Sequence, residues 1–399
     1  MTFVALRMLM GDRAKYLGII MGIAFAALLI TQQASIFAGI MTRTFGFVSD
    51  TALPDLWVMD PKVQFIDDVK PLQDTALFRV RSIEGVEWAM PLYKGLLKAR
   101  LQNGQFQTCN VVGLDDATLT GGPPQMVEGS LENLRQAEGV IVDVVGATTR
   151  LGKFPEGPDG KIIPGSKPVP LKVGDTLELN DRRAVVVGIC RVRRTFQSQP
   201  VIYTTYSRAI QFAPRERKLL SFVLVKAAPG VSPSDLAARI EEQTSAGGRK
   251  RFVALTGDEF SWKTMLYFMK YTGIPINFGI AVTLGFLVGT AIAGQTFYQF
   301  TLDNLRHFGA LKAMGATNLR LLGMILTQSA IVGAIGYGLG VGAASTFGYL
   351  VGGRTELAFR LLPHTLGITA CAIVVICMLA SVMSLWKVIR LEPAIVFKG

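Results

Sequence analysis

Histidine is nearly missing from this sequence of 399 residues: it appears twice, as His307 and His364, in different regions. A histidine metal cluster and a histidine-based catalytic triad are therefore excluded, since each needs imidazole beside other ligands or beside a nucleophile. Charge is scarce too. Asp, Glu, Lys and Arg make up 18% of the chain, against ~25% in an ordinary soluble protein. Four cysteines, Cys109, Cys190, Cys371 and Cys377, are too few for a disulfide scaffold. Cys371 and Cys377 lie in one apolar run and read as packing residues. Cys109 and Cys190 are the pair available for a bridge in an oxidising compartment, and spacing alone leaves that open. A phosphate-binding loop is lacking as well. Gly157, Pro158, Asp159, Gly160 and Lys161 have the wrong spacing for one, and Ile162 stands where Ser or Thr is required.

Apolar residues are what the chain has in excess, at 50%, with a mean hydropathy of +0.38. They are clustered. Four stretches, residues 16–42, 271–302, 321–353 and 361–386, contain no Asp, Glu, Lys or Arg. A helix needs ~20 apolar residues to cross ~30 Å of hydrocarbon at ~1.5 Å per residue, so each stretch reads as a transmembrane helix. Ala24, Phe25 and Ala26 imitate a signal-peptide cleavage site, but the apolar run continues through Leu28, Leu29, Ile30, Ile36 and Phe37. The first stretch is expected to be an uncleaved anchor.

Lys and Arg near the span ends set the expected orientation. Arg7, Arg13 and Lys15 precede the first span, Arg306, Lys312 and Arg320 join the second to the third, and Lys387, Arg390 and Lys398 follow the fourth. With four spans these segments share one side, which is then cytoplasmic. The expected order is a cytoplasmic amphipathic segment (1–15), spans at 16–42, 271–302, 321–353 and 361–386, an external domain (43–270), a cytoplasmic connection (303–320), an external loop (354–360) holding Arg354, Glu356 and Arg360, and a cytoplasmic tail (387–399). Trp262, Tyr267, Tyr271 and Trp386 suit membrane interfaces.

The external segment alternates strand and helix signals. Residues 55–59, 140–145, 176–179, 184–189 and 222–225 are rich in β-formers, and residues 96–101 and 106–114 flank Asn103 and Gly104, a favoured hairpin turn. Residues 233–243 carry Leu236 and Ile240 at helical spacing, with Ser232 or Ser234 as cap. Residues 152–170, dense in Pro and Gly, read as an exposed insertion. The fold class expected is an α-helical membrane protein with four transmembrane helices and a large extracytoplasmic α+β domain of two lobes, one formed by residues near both of the domain's ends and one by its middle. That domain holds 30 basic and 25 acidic residues, a net of +5. Groups such as Arg191/Arg193/Arg194, Arg215/Arg217/Lys218 and Arg249/Lys250/Arg251 suit either a solvated surface or contact with anionic head groups or an acidic partner. An external position excludes nucleic acid as the partner of the overall +12 charge.

The spans hold no buried acid or base of the kind that marks an ion pathway. Thr31, Gln32, Gln33, Gln295, Thr296, Gln328 and Ser329 are expected to bond between helices. Small residues recur four apart, at Gly18/Gly22, Gly285/Gly289, Gly336/Gly340 and Gly338/Gly342. Such pairs serve close packing within one chain or between two copies.

Between the second and third spans, Leu305, Phe308 and Leu311 recur at a three-residue spacing, Gly315 suits a helix C-terminus, and Thr317 suits the cap of the next helix. This predicts a short helix joined to both spans by tight turns. Spacing alone fits a rigid transmitting element or a loop resting on the membrane.

Arg306, His307, Phe308, Gly309, Ala310, Leu311, Lys312, Ala313, Met314, Gly315, Ala316 and Thr317, followed by a glycine-rich span, resemble the hallmark of the FtsX/MacB-type (type VII) ABC transporter permeases, written roughly R-E-[FI]-G-x-L-[RK]-A-[LM]-G-A. The order of one span, a large external domain and three spans agrees. The N-terminal residues 5–13 before Gly22 and Ala26 look closest to the DevC-like branch, and residues 173–177 and 186–189 resemble phrases of the MacB-like periplasmic core. His307 stands where the family commonly has an acid, which alters the detailed contact to the partner.

The resemblance implies a non-catalytic permease subunit in the inner membrane that works as a mechanical transmitter. Residues 306–315 would then couple to a separate ABC ATPase dimer, with Phe308 and Leu311 as apolar contacts and with ATP and Mg on that partner rather than on this chain. A second copy of the permease, membrane lipids and a periplasmic adaptor (membrane fusion protein) are the other implied partners, for export of a lipid, glycolipid, peptide or drug-like substrate. The alternatives are a non-transporting FtsX-like regulator of a cell-wall hydrolase and a lipoprotein-releasing permease.

Overall fold

The computed structural model describes residues 7–8, 13–155, 166–214, 219–245, 248–352 and 356–389. Expectations placed on most of residues 1–12, on residues 157–161, on Arg215, Arg217, Lys218, Arg354, Arg390 and Lys398, and on the side chains of Trp386 and Lys387 lie outside these. The chain divides into two compact units: Met41–Tyr271, and Met1–Ile40 together with Thr272–Gly399.

The first helix, α1 (Arg13–Thr44), leads into the unit Met41–Tyr271, which carries helices α2 (Gly46–Asp50), α3 (Thr75–Arg81), α4 (Tyr206–Phe212), α5 (Pro233–Thr244) and α6 (Gly257–Tyr271). Its strands are β1 (Leu56–Met59), β2 (Val86–Arg100), β3 (Phe106–Leu114), β4 (Gln125–Gly129), β5 (Gly139–Asp143), β6 (Thr176–Leu179), β7 (Arg182–Arg191), β8 (Val201–Thr205), β9 (Phe222–Ala227) and β10 (Val253–Thr256). They follow one another in space as β10-β1-β9-β2-β3-β8-β5-β7-β4, with β6 joining β2 to β7.

Strand β2 belongs to two lobes. Residues 86–92 pair with β9, and residues 93–100 pair with β3. The lobe built from the domain's ends packs Leu56, Val58, Val80, Val225, Leu236 and Ile240 beneath α3 and α5. The middle lobe packs Val111, Val140, Val186 and Ile202 against Phe212 of α4. On the opposite face, Trp57, Leu92, Val112, Ile141, Tyr203, Phe222 and Phe260 form one cluster that runs across both lobes. Successive strand residues point to opposite faces, which is why Val111 and Val112 lie in different clusters.

The same alternation settles the cysteines. Cys109 lies in the middle-lobe core and Cys190 in the opposite cluster, on strands separated by β8 and β5. Three strand spacings of ~4.8 Å exceed the reach of a disulfide, and both thiols are free. At the β2–β3 turn Gly104 has φ +78°, the left-handed conformation that glycine adopts without strain, and its N–H donates to the Leu101 carbonyl at 2.9 Å. Two expectations need correcting. Ser232 occupies the cap position of α5, yet its hydroxyl pairs with that of Ser234 at 2.7 Å instead of capping the helix backbone. Tyr267 stacks on Phe65 with ring centroids 4.4 Å apart, a contact inside the domain, whereas Trp262 and Tyr271 are exposed.

The second unit adds α7 (Ile274–Asp303), α8 (Leu305–Ala313), α9 (Asn318–Gly352) and α10 (Pro363–Ile389). Helices α1, α7, α9 and α10 are long and apolar enough to cross a membrane. Glycines let α1 approach two neighbours. A Cβ at Gly336 or Gly340 of α9 would collide with Ile23, Ala24 and Ala27, one at Gly289 of α7 with Ala26, and one at Gly22 with Ile292. Gly285 lies against Leu29, and Gly18 only grazes Thr296 at 3.9 Å. Gly338 and Gly342 differ: a Cβ there meets nothing within 4 Å among the described residues, so that pair packs against no other described part of the chain.

Polar residues in the spans divide in the same way. Thr31 donates across to Thr369 at 3.1 Å, while Thr296 and Ser329 bond carbonyls of their own helices, those of Ile292 and Leu326. Cys377 is buried but Cys371 is exposed, so the expected packing role holds for the first alone.

Candidate functional site

The connection between α7 and α9 is an elbow in which almost every residue is accounted for. Asn304 alone separates α7 from α8. Its backbone N–H and its side-chain Nδ2 both donate to the Phe300 carbonyl, at 3.2 and 2.9 Å, and its own carbonyl receives the Phe308 N–H at 3.1 Å. One residue thus closes α7 and opens α8. At the far end Gly315 takes φ +91°, its N–H donates to the Lys312 carbonyl at 3.1 Å, and the Ala316 N–H donates to the Leu311 carbonyl at 3.0 Å. This pair of bonds is the Schellman arrangement, in which a glycine just past the helix lets the chain reverse and satisfy the last carbonyls. Helix α9 starts at Asn318, with the Arg320 and Leu321 N–H groups on the Thr317 carbonyl.

Packing fixes the elbow to the spans. Phe308 is 0% exposed and lies in a cluster with Ala316, Leu321, Met324 and Ile325, bordered by Leu311 and Met8. Met8, which precedes α1, also borders the core of the spans and so links the elbow to it. At the ends of α1 and α7, Lys15 and Asp303 form an ion pair. Each charge sits at the wrong end of its helix dipole, and each offsets the other.

Of the sequence-predicted residues, Phe308 and Gly309 are buried, Leu311 and Lys312 are half-buried, and Arg306, His307, Ala310, Ala313, Met314 and Gly315 are exposed. Phe308 is therefore unavailable to a partner: its ring anchors α8 to α9. The exposed apolar atoms lie elsewhere, on Met314 at 76% and on Leu319 at 78%. Leu319 fell outside the predicted set. Its signal was an apolar residue in the first turn of a span, next to Arg320, where solvated residues are usual. Arg306, His307, Met314 and Leu319 are among the exposed side chains of the elbow, polar and apolar groups able to meet a protein partner.

A second charged feature lies in the domain. Lys94 of β2, where the strand passes between lobes, is buried, pairs with Asp67, stands 5.5 Å from the Phe47 ring, and donates its N–H to the Ser221 hydroxyl at 2.9 Å. A cavity of about 320 Å³ opens beside it, lined by Asp68, Pro71, Leu96 and Leu219.

Two family models match the chain in succession. Residues 16–243 match the MacB-like periplasmic core domain and residues 267–393 match the FtsX-like permease C-terminal domain. An ABC transporter permease of Mycobacterium tuberculosis is 24% identical over 256 residues, 62% of this chain and 64% of the relative. One of Methanocaldococcus jannaschii is 24% identical over 168 residues, 42% of this chain and 41% of the relative. The chain thus spans 64% of the length of the mycobacterial relative it matches. The periplasmic region of MacB from Actinobacillus actinomycetemcomitans is 16% identical, covers 56% of this chain and 96% of its own, and has a TM-score of 0.36. So low a score leaves the assignment to the sequence matches, of which the first takes in more than half of the chain. The chain belongs to the FtsX-like permeases that carry a MacB-like periplasmic core domain.

Proposed function

We propose that this chain is the permease subunit of an ATP-driven ABC exporter of the mechanotransmission type. An ATPase dimer docks on the outer face of α8 from the cytoplasm, and its ATP-driven closure moves α8, then α7 and α9, then α1 and the domain. Arg13, Lys15, Arg306, Lys312 and Arg320 favour a cytoplasmic elbow, an orientation that supports a domain Met41–Tyr271 on the outside and fits residence in the inner membrane. ATP and Mg remain on the partner. A second copy of the permease and a periplasmic adaptor complete the assembly, and the substrate is a lipid, glycolipid, peptide or drug-like molecule handled outside or in the outer leaflet.

The observation that carries this reading is the construction of α8. An idle loop has no need of a one-residue joint, a Schellman stop and a fully buried aromatic anchor, whereas a lever needs all three, because force passes only through elements that do not yield. A groove between α9 and α10, lined by Leu326, Gly333, Tyr337, Ile373 and Met378, is suited to lipid chains. Export is favoured over regulation of a hydrolase by the large two-lobed core of MacB-like type. Copurification from native membranes, followed by ATPase assays of the complex, tests the reading. An associated ATPase whose turnover rises with the permease supports it, and an intact permease that captures none contradicts it.

A further inference from the structure

A crevice in the middle lobe is built from the end of β5, the π-helical turn Gly146–Arg150 and residues 192–201. Arg150, Arg193 and Arg194 line it together with Thr149, Thr195 and Ser198. Asp143 is the acid among these lining residues, and its oxygens are occupied: Oδ2 accepts the Gly146 N–H at 2.9 Å and Oδ1 the Val201 N–H at 2.7 Å. Arg193 is tied elsewhere in part, since its Nε lies 3.2 Å from Asp50 Oδ1. The charge of Arg194 acts on Asp143, with one donor left over. Its Nη1 is buried and has no hydrogen-bond partner among the described residues.

A buried donor on a charged group loses water without replacement, a penalty of ~1–3 kcal/mol or more. Native structures supply an acceptor at such a place. The enclosed space here is about 10 Å³, room for about one oxygen atom, and the rest of the crevice is open. Two further features set the place apart. A π-helical turn is uncommon and concentrates at functional sites, and Ser198 holds φ +49°, a left-handed conformation that a non-glycine residue keeps only when its surroundings impose it.

We propose that this crevice binds the oxyanion of a phosphate group, with Arg194 Nη1 donating to one oxygen inside and Arg150 and Arg193 supplying positive charge around the others. Bidentate arginine geometry suits tetrahedral oxyanions. The group can belong to a lipid head group or to a phosphate free in solution. The site stands on the domain's own geometry and does not depend on the coupling role of α8.

The test uses the full-length chain. Inorganic phosphate is titrated against chloride at matched ionic strength while thermal unfolding of the detergent-solubilised protein is followed. In a second arm the protein is placed in nanodiscs of phosphatidylglycerol or of an uncharged galactolipid, without added phosphate. Free phosphate as the source predicts stabilisation in the first arm, and a head group predicts stabilisation by phosphatidylglycerol in the second. In whichever arm responds, Arg194→Gln should weaken the effect by about tenfold, the share of one charge-assisted hydrogen bond. Thr149→Glu, a change at an exposed lining position that leaves the core alone, should abolish it by placing a tethered carboxylate at the mouth. Arg182→Gln, outside the crevice, should change nothing. Absence of any response in wild type means that water fills the space, and an equal response in wild type and Thr149→Glu means that the anion sits elsewhere. Either result overturns the proposal.

Discussion

Phe308 of α8 and Leu321 of α9 are both completely buried in one apolar cluster, although a reversed chain and the exposed Met314 and Leu319 lie between them. That relationship separates the two jobs of the elbow: the inner face holds the spans together, and the outer face is free to meet a partner. Met314→Glu and Leu319→Glu should therefore abolish ATPase copurification while leaving thermal stability within about 0.5 kcal/mol, as expected at exposed positions. Phe308→Ala should cost about 3–5 kcal/mol of local packing and uncouple ATPase stimulation, with much of the binding retained. If Met314→Glu and Leu319→Glu bind the ATPase like wild type, the docking face is misplaced.

Glycines of α9 give a matched comparison. Gly340→Ala forces α9 away from the Ala24 carbonyl, and overpacking of this sort costs about 1–3 kcal/mol. Gly338→Ala and Gly342→Ala enter open space, so they should leave the unfolding of the single chain unchanged or raise its stability by up to about 1 kcal/mol through helix propensity. Unfolding in detergent and denaturant measures all three. Equal losses would contradict the helix contacts described here.

At the lobe seam, Asp67→Ala leaves the Lys94 ammonium buried without its counter-charge. The expected loss is about 3 kcal/mol, at the lower end of the range for broken buried pairs because Asp67 keeps partial contact with water. Replacing both, Asp67→Leu with Lys94→Met, should recover most of that loss. Denaturant unfolding of wild type, Asp67→Ala and the double variant makes the comparison, and a double variant as damaged as Asp67→Ala would rule out an uncompensated charge as the cause.

Asp50 and Asp143 set a pH dependence of opposite sense to that of surface ion pairs. Burial pushes both carboxyl groups above their usual range, against the lowering pull of Arg193 on Asp50 and of the Gly146 and Val201 amides on Asp143. An acid whose folded-state pKa is raised holds its proton better when folded, so its contribution to stability is full below the unfolded value of 3.8 and is lost as pH rises through the folded value. Asp50→Asn removes one such group. Relative to wild type, its stability should gain with rising pH over the interval just above 3.8; a difference that does not vary with pH would refute the assignment.

Much of the architecture was legible because it is written in periodicity and in the absence of charge. Four stretches without a charged residue became α1, α7, α9 and α10, and the Asn103–Gly104 turn became the β2–β3 hairpin. What sequence could not reveal depends on neighbours. Strand β2 alternates poorly, because Leu92, Tyr93 and Lys94 are buried in succession where both lobes close around it. Spacing grouped Leu305, Phe308 and Leu311 on one side of α8, but whether that side meets a partner or the chain itself is decided by Leu321 and Met324, which lie beyond the turn. The Arg194 crevice was visible only as a basic group, since the orphaned donor arises from the fold of residues 192–201 over Asp143.

The central claim is that α8 presents its outer face to a cytoplasmic ATPase. Its most direct test is maleimide labelling of Met314→Cys, in a chain whose four native cysteines are replaced, using a membrane-impermeant reagent. The expected result is no labelling in intact cells, full labelling of inverted vesicles, and protection when the ATPase is bound. Labelling from the outside of intact cells would contradict the account.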